Sequence, residues 1–123
     1  PISNAANRLN AKERLLGVII NGSSKAYTFN ESNANEIVKD VLNGQNISVI
    51  RNLASNYIVA FIGHDYEVLD KNDFPYILKN NDGIRFDILG YSEDGSLVLT
   101  KPDQFIGYWF SWGTFYEDIP IFE

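Results

Sequence analysis

The chain carries one histidine, His64, followed at once by Asp65 and three residues later by Glu67. An imidazole beside carboxylates is the combination that moves protons near neutral pH or grips a metal ion. A metal site needs three or four converging ligands, however, and the turn residue Gly63 explains an exposed histidine equally well. The carboxylates Asp65, Asp82 and Asp87, with or without His64, are the groups an acid- or metal-assisted hydrolase would use. Glycoside hydrolysis would need two such acids about 5–9 Å apart across a cleft. Calcium fails on spacing: with Gly83 or Gly95 as the loop's turn glycine, the first ligand would fall on Leu78 or Gly90. These acids therefore read first as solvated loop charge. No catalytic residue and no metal ligand is assigned from them.

A second kind of chemistry is stacking. Residues 105–116, Phe-Ile-Gly-Tyr-Trp-Phe-Ser-Trp-Gly-Thr-Phe-Tyr, hold both tryptophans of the chain. Tyr108, Trp109 and Trp112 are candidate ligand-binding residues, since flat aromatic faces bind sugars and planar molecules. Asp87 is the candidate polar group to accompany them. The competing reading is a core helix, because positions 105, 108, 109, 112 and 116 fall on helical spacing. Nucleophilic catalysis has less support. No serine lies in a Gly-x-Ser-x-Gly elbow, and no glycine-rich loop opens a helix to cradle phosphate. Asn21, Asn30 and Asn46 start glycosylation sequons, which arise by chance in so asparagine-rich a chain.

Composition removes further classes. At 123 residues the chain is expected to form one domain, and that size allows a core without covalent staples. It has no cysteine, so disulfides, thiol catalysis and cysteine zinc sites are out. The net charge of −6 opposes nucleic acid and anionic lipid, and the basic residues are scattered from Arg8 to Lys101. No apolar run approaches the roughly 18–20 residues of a membrane helix. There is no methionine either, and the chain opens Pro1-Ile2-Ser3. A processed form or a fragment of a longer precursor is expected.

The elements that would position these groups are short strands and two helices. Leu15–Ile20 and Lys25–Phe29 flank Asn21-Gly22, a strong hairpin signal, although a looser loop through Ser24 also fits. Residues 33–42 read as a helix. Ser32 or Asn33 would cap it, Ile37, Val38, Val41 and Leu42 would form its apolar stripe, and Asn43-Gly44 would end it. Ile47–Ile50, Tyr57–Ile62 and Tyr66–Leu69 read as strands, Asp70–Gly83 as a loop-rich connection, and Ile84–Leu89 as a half-buried strand. Glu93-Asp94-Gly95 turns into Leu97–Leu99. The second helix is placed at 103–116. The expected class is α+β, mostly antiparallel sheet with two short helices.

Leu16-Gly17-Val18, Asn21-Gly22 and Lys25-Ala26-Tyr27 resemble the opening of a bacterial and archaeal domain-of-unknown-function family, number 3179. The resemblance continues through Glu36-Ile37-Val38-Lys39-Asp40 and Gly44. It reaches Phe86-Asp87-Ile88-Leu89-Gly90 and Trp109-Phe110-Ser111-Trp112, nearly the whole chain. Many members of that family carry Cys-Pro-Leu-Cys where this sequence reads Asn52-Leu53-Ala54-Ser55, and a histidine where it has Asn35. Two thiols three apart could hold a metal or cycle as a disulfide. Asparagine and serine do neither, so any such chemistry is expected to be absent here. Asn52 is kept as a candidate ligand-binding residue. The resemblance implies an extracytoplasmic setting: periplasmic, cell-surface or secreted. The expectation is a non-catalytic domain without cofactor that binds a small molecule, a glycan or a protein. The alternative is the hydrolase built on Asp65, Asp82 and Asp87.

Overall fold

A computed structural model of the protein describes residues 13–108 and 119–122. Within them the strands are β1 (Arg14–Ile20), β2 (Ser23–Thr28), β3 (Glu36–Leu42), β4 (Gln45–Asn52), β5 (Tyr57–Ile62), β6 (Tyr66–Val68), β7 (Tyr76–Asn80), β8 (Arg85–Asp87), β9 (Asp103–Tyr108) and β10 (Ile121–Phe122). They form three sheets, ordered β10-β2-β1-β9, β3-β4-β5 and β6-β7-β8. Every pairing is antiparallel except β10 on β2. One 3-10 turn, Lys71–Asp73, is the only helical element among the described residues.

The middle sheet is the centre of the molecule. Successive residues of a strand point to opposite faces, and here both faces are covered. Val49 and Ala60, paired across β4 and β5, pack with Leu16, Val18 and Tyr27 of the first sheet. Ile50 and Val59, the next pair, pack with Ile77, Leu78 and Phe86 of the third. A strand buried on both faces needs apolar side chains at consecutive positions. That requirement explains the unbroken runs Ile47–Ile50 and Tyr57–Ile62.

The same requirement overturns the helix expected at 33–42. Ile37 turns to the third sheet while Val38 and Leu42 join the core against the first. Apolar residues at 37, 38, 41 and 42 thus imitate helical spacing inside a strand. Asn43-Gly44 is no helix end. Leu42 pairs with Gln45, and Asn43 and Gly44 hold φ of 50° and 75°, a two-residue hairpin turn of the type that Asn-Gly favours. Asn21-Gly22 repeats it, with Ile20 paired to Ser23 and the tight turn chosen over the loose loop.

The helix placed at 103–116 is also corrected where it can be seen. Residues 103–108 are β9, in register with β1 from Asp103 opposite Ile19 to Tyr108 opposite Arg14. Sheet pairing overrides the helical spacing of the aromatics. The remainder, with Trp109 and Trp112, lies outside the described residues. The 70–83 connection also hides a strand: β7 is the middle strand of the third sheet. With only Tyr76-Ile77-Leu78 between Pro75 and Lys79, its apolar signal is three residues long. The fold is thus β-rich and not α+β.

Three hydrogen bonds close the outer edge of β5. The Gln104 side-chain amide donates to Ala60 O (2.9 Å) and accepts from Ala60 N (2.8 Å), standing in for a strand. Ile62 N donates to Thr100 O. An edge covered in this way is not open to further pairing.

Candidate functional site

Three places gather polar or exposed side chains. The first is the end of the middle sheet around Asn52, which is fully buried. Its Nδ2 donates to Asn33 O (2.9 Å) and to Asn35 Oδ1 (3.0 Å), and its Oδ1 accepts from Ser55 N (3.0 Å). Asn35 Oδ1 also accepts from the Tyr57 hydroxyl (2.6 Å), while Asn35 Nδ2 donates to Leu69 O (2.8 Å). Asn30 secures the same loop by accepting from Leu53 N and donating to Ala34 O. Burial pushes the Tyr57 hydroxyl up to about 12, so it remains a proton donor to Asn35. Buried amides with these partners set the loop 52–56 in place. They leave Asn52 no exposed surface for a ligand.

The second place lies between the first and middle sheets. Arg51, nearly buried, donates from Nη1 to Thr28 O (2.7 Å) and from Nε to Glu36 Oε1 (3.2 Å). Asp40 accepts from the Tyr27 hydroxyl (2.7 Å) and pairs with Lys25 (2.8 Å). Burial alone would raise the Asp40 carboxyl. Lys25, Tyr27 and the Val41 amide outweigh it, holding the group below its ordinary value. Tyr27 moves up, through burial and then through Asp40. The Phe122 ring sits beside this network, 5.8 Å from Lys25 Nζ and 5.6 Å from the Arg51 guanidinium. Nothing in the sequence marks this cluster. Lys25 lies in β2, Glu36 and Asp40 in β3 and Arg51 in β4, and only the pairing and packing of these strands join them.

The third place is the tight hairpin after β8. Tyr91 and Val98 pair across it, and Leu89 tops the turn from Asp87 to Gly90. These three side chains are 48%, 59% and 57% exposed, far above the core. On the inner side Leu99 packs with the core of the third sheet, and Gly90 approaches Phe61 so closely that a Cβ would stand 2.9 Å from its ring. Beside the hairpin runs a groove of about 220 Å3 lined by Ile84, Arg85, Glu93, Asp94, Ser96 and Leu97. Its volume is below the roughly 300–1,000 Å3 of ordinary ligand pockets. Arg85 grips Glu93 through two hydrogen bonds (2.6 and 2.9 Å) and lies 4.6 Å over the Tyr76 ring. Asp94 is held at about 2, chiefly by the Ser96 hydroxyl and amide and then by Ser92.

The residues singled out from the sequence are scattered over these places and beyond. Asp87 is a turn-former, its Oδ1 accepting from Leu89 N (2.9 Å) and Tyr91 N (3.0 Å). His64 Nε2 meets Asp40 O at 2.7 Å, and a carbonyl only accepts, so this nitrogen carries the proton. Asp65 and Asp82 are exposed at the end of the third sheet where Tyr66 pairs with Asn80. Asp87 pairs with Tyr76 at the other end. Four residues of strand separate those ends by about 13 Å, too far for a carboxylate pair at glycosidase spacing. Glu67 pairs with Lys79 at 3.6 Å. Among the described residues no group of three acids, histidines or cysteines is placed to hold a metal ion. Tyr108 is exposed at the end of β9, and its neighbours Trp109 and Trp112 lie beyond the described residues. No helix among them is long and apolar enough to cross a membrane.

A family model described as a protein of unknown function (DUF3179) matches residues 1–119. The chain belongs to the DUF3179 family. No curated protein and no solved structure matches it. Asn35, Asn52 and Ser55 meet in one closed hydrogen-bond network.

Proposed function

We propose that this DUF3179 protein is a non-catalytic binding domain acting outside the cytoplasm, and that it takes a small molecule, a glycan or a protein on the apolar hairpin Leu89–Val98. One observation carries the reading. Leu89, Tyr91 and Val98 are exposed on a hairpin whose inner side packs on the core, whereas Asp87 and Asn52 are tied into the fold. Concentrated exposed apolar surface is a mark of interaction sites. Tyr91 has the form that binding surfaces favour, a flat apolar body with a polar tip. The extracytoplasmic setting rests on the family resemblance alone.

The test is a titration of the isotope-labelled protein with soluble glycans, aromatic fragments and short apolar peptides, read by amide shifts. Shifts centred on residues 89–98, with every ligand recovered intact, are the expected result. Shifts centred on Asp65 and Asp82 accompanied by conversion of the ligand would replace this reading with the hydrolase.

A further inference from the structure

The outer edge of β2 accepts a strand in the direction opposite to every other pairing among the described residues. β10 lies parallel to it, with Ile121 opposite Ala26 and Phe122 opposite Tyr27. The ladder is two residues long, and its hold comes largely from side chains and flanking bonds. Ala26 N donates to Pro120 O (2.9 Å), and the Thr28 hydroxyl donates to Phe122 O (3.3 Å). Proline fits position 120 because it opens the strand and lends only its carbonyl here. Ile119 is buried against Leu15 and Ala26, with Ile121 packed on the same cluster. Phe122 fills the far end of the seat. Its ring centre is 5.9 Å from that of Tyr27, and two cations flank it, Lys25 Nζ at 5.8 Å and the Arg51 guanidinium at 5.6 Å.

These contacts have the layout of peptide recognition by strand addition. Main-chain bonds fix direction, and side-chain seats at defined positions fix sequence. The aromatic seat is the selective part, since the face of a π-system attracts cations and an aliphatic side chain does not. Both cations are held by partners other than the occupant, Lys25 by Asp40 and Arg51 by Glu36.

We propose that the β2 edge is a peptide-binding groove for an extended segment of the pattern apolar–proline–apolar–aromatic, and that the chain's own residues 119–122 occupy it in cis. The site is separate from the hairpin surface, and neither reading depends on the other. An occupant on the same chain competes as an intramolecular ligand. A free segment therefore binds weakly until the resident one is loosened.

The test uses the full chain and a fluorescent peptide of sequence Asp-Ile-Pro-Ile-Phe-Glu, followed by anisotropy. Phe122→Asp removes the resident aromatic. The peptide is expected to bind this variant saturably and at least tenfold more tightly than the parent. The same peptide with Asp in place of its Phe is expected to lose that binding. Equal binding of both peptides overturns the proposal, and so does absence of saturable binding to a variant that still unfolds cooperatively. If Phe122→Asp does not fold, Phe122→Ala takes its place in the same titration. Failure of both to fold also overturns the proposal, because residues 119–122 would then be core and not an exchangeable occupant.

Discussion

The Asn35–Asn52 network and the Leu89–Val98 hairpin are opposites in every physical respect. One buries polar groups and satisfies them; the other exposes apolar groups and leaves them uncovered. Folding stability explains the first completely, since an unsatisfied buried amide is costly and each of these has partners. It does not explain the second, because an exposed Val or Leu contributes little to folding. On the proposed reading, polarity is a poor guide to function in this molecule. The polar groups of Asn35 and Asn52 hold the chain together, and the exposed hairpin surface is apolar.

The sharpest way to break this comparison is Asn52→Ala. It would strand Ser55 N and Asn33 O and take from Asn35 Oδ1 one of its two partners, breaking three bonds of 2.9–3.0 Å. At about 1 kcal/mol for each lost bond the expected destabilisation is about 3 kcal/mol, read as a lower urea midpoint with an unchanged slope. A midpoint within error of the parent would mean that the network is not structural, and Asn52 would return as a binding residue.

Gly90→Ala comes next and tests the support beneath the hairpin. Gly90 has φ of +88°, and an added Cβ would meet the buried Phe61 ring at 2.9 Å. Backbone strain of about 1–2 kcal/mol plus crowding gives an expected loss of about 2 kcal/mol in the same denaturation measurement. A neutral result would mean that the hairpin does not pack on Phe61 as closely as described.

How far the sequence disclosed all this follows from the range of each signal. Hairpins marked by Asn-Gly are local, and Asn21-Gly22 was read correctly. The second such pair, Asn43-Gly44, was assigned to a helix end, because the preceding Glu36–Leu42 carries a pattern that two faces of burial and one helical stripe share. Distinguishing them needs the knowledge that sheets cover both sides, which is tertiary. β7 was missed since Tyr76-Ile77-Leu78 is too short to show a period. The candidate groups fared in the same way. Asn52 and Asp87 stand out by residue type, whereas their hydrogen bonds depend on Asn33, Asn35 and the turn at 89–91. The Lys25–Asp40 and Arg51–Glu36 pairs left no mark in the sequence. Even so, β4 and β5 could be located from their apolar runs alone.

Titration separates the two polar networks from each other. Asp40 is held below its ordinary value in the fold, so its contribution to stability is complete above an unfolded value near 3.8 and is lost as pH falls through the lower folded value. Tyr57 behaves in the opposite sense. Burial raises it to about 12, so its contribution is complete below pH 10 and is lost as pH rises toward 12. Asp40→Asn is expected to flatten the acid limb of a stability-against-pH curve, and Tyr57→Phe the alkaline limb. Either variant flattening the wrong limb would reverse the assignment of charge states in its network.

The smallest expected effect on stability belongs to the hairpin, and there the smallness is the point. Tyr91→Ser with Val98→Ser removes apolar area that is about half exposed in the folded protein. The Tyr91–Val98 pairing runs through the backbone, which the double variant leaves intact. The expected change is therefore within about 0.5 kcal/mol per site, together with loss of the ligand-induced amide shifts at residues 89–98. A destabilisation of several kcal/mol would show that this surface is covered by part of the protein itself. The contrast with the Asn52 network would then vanish, because both regions would be doing the work of folding.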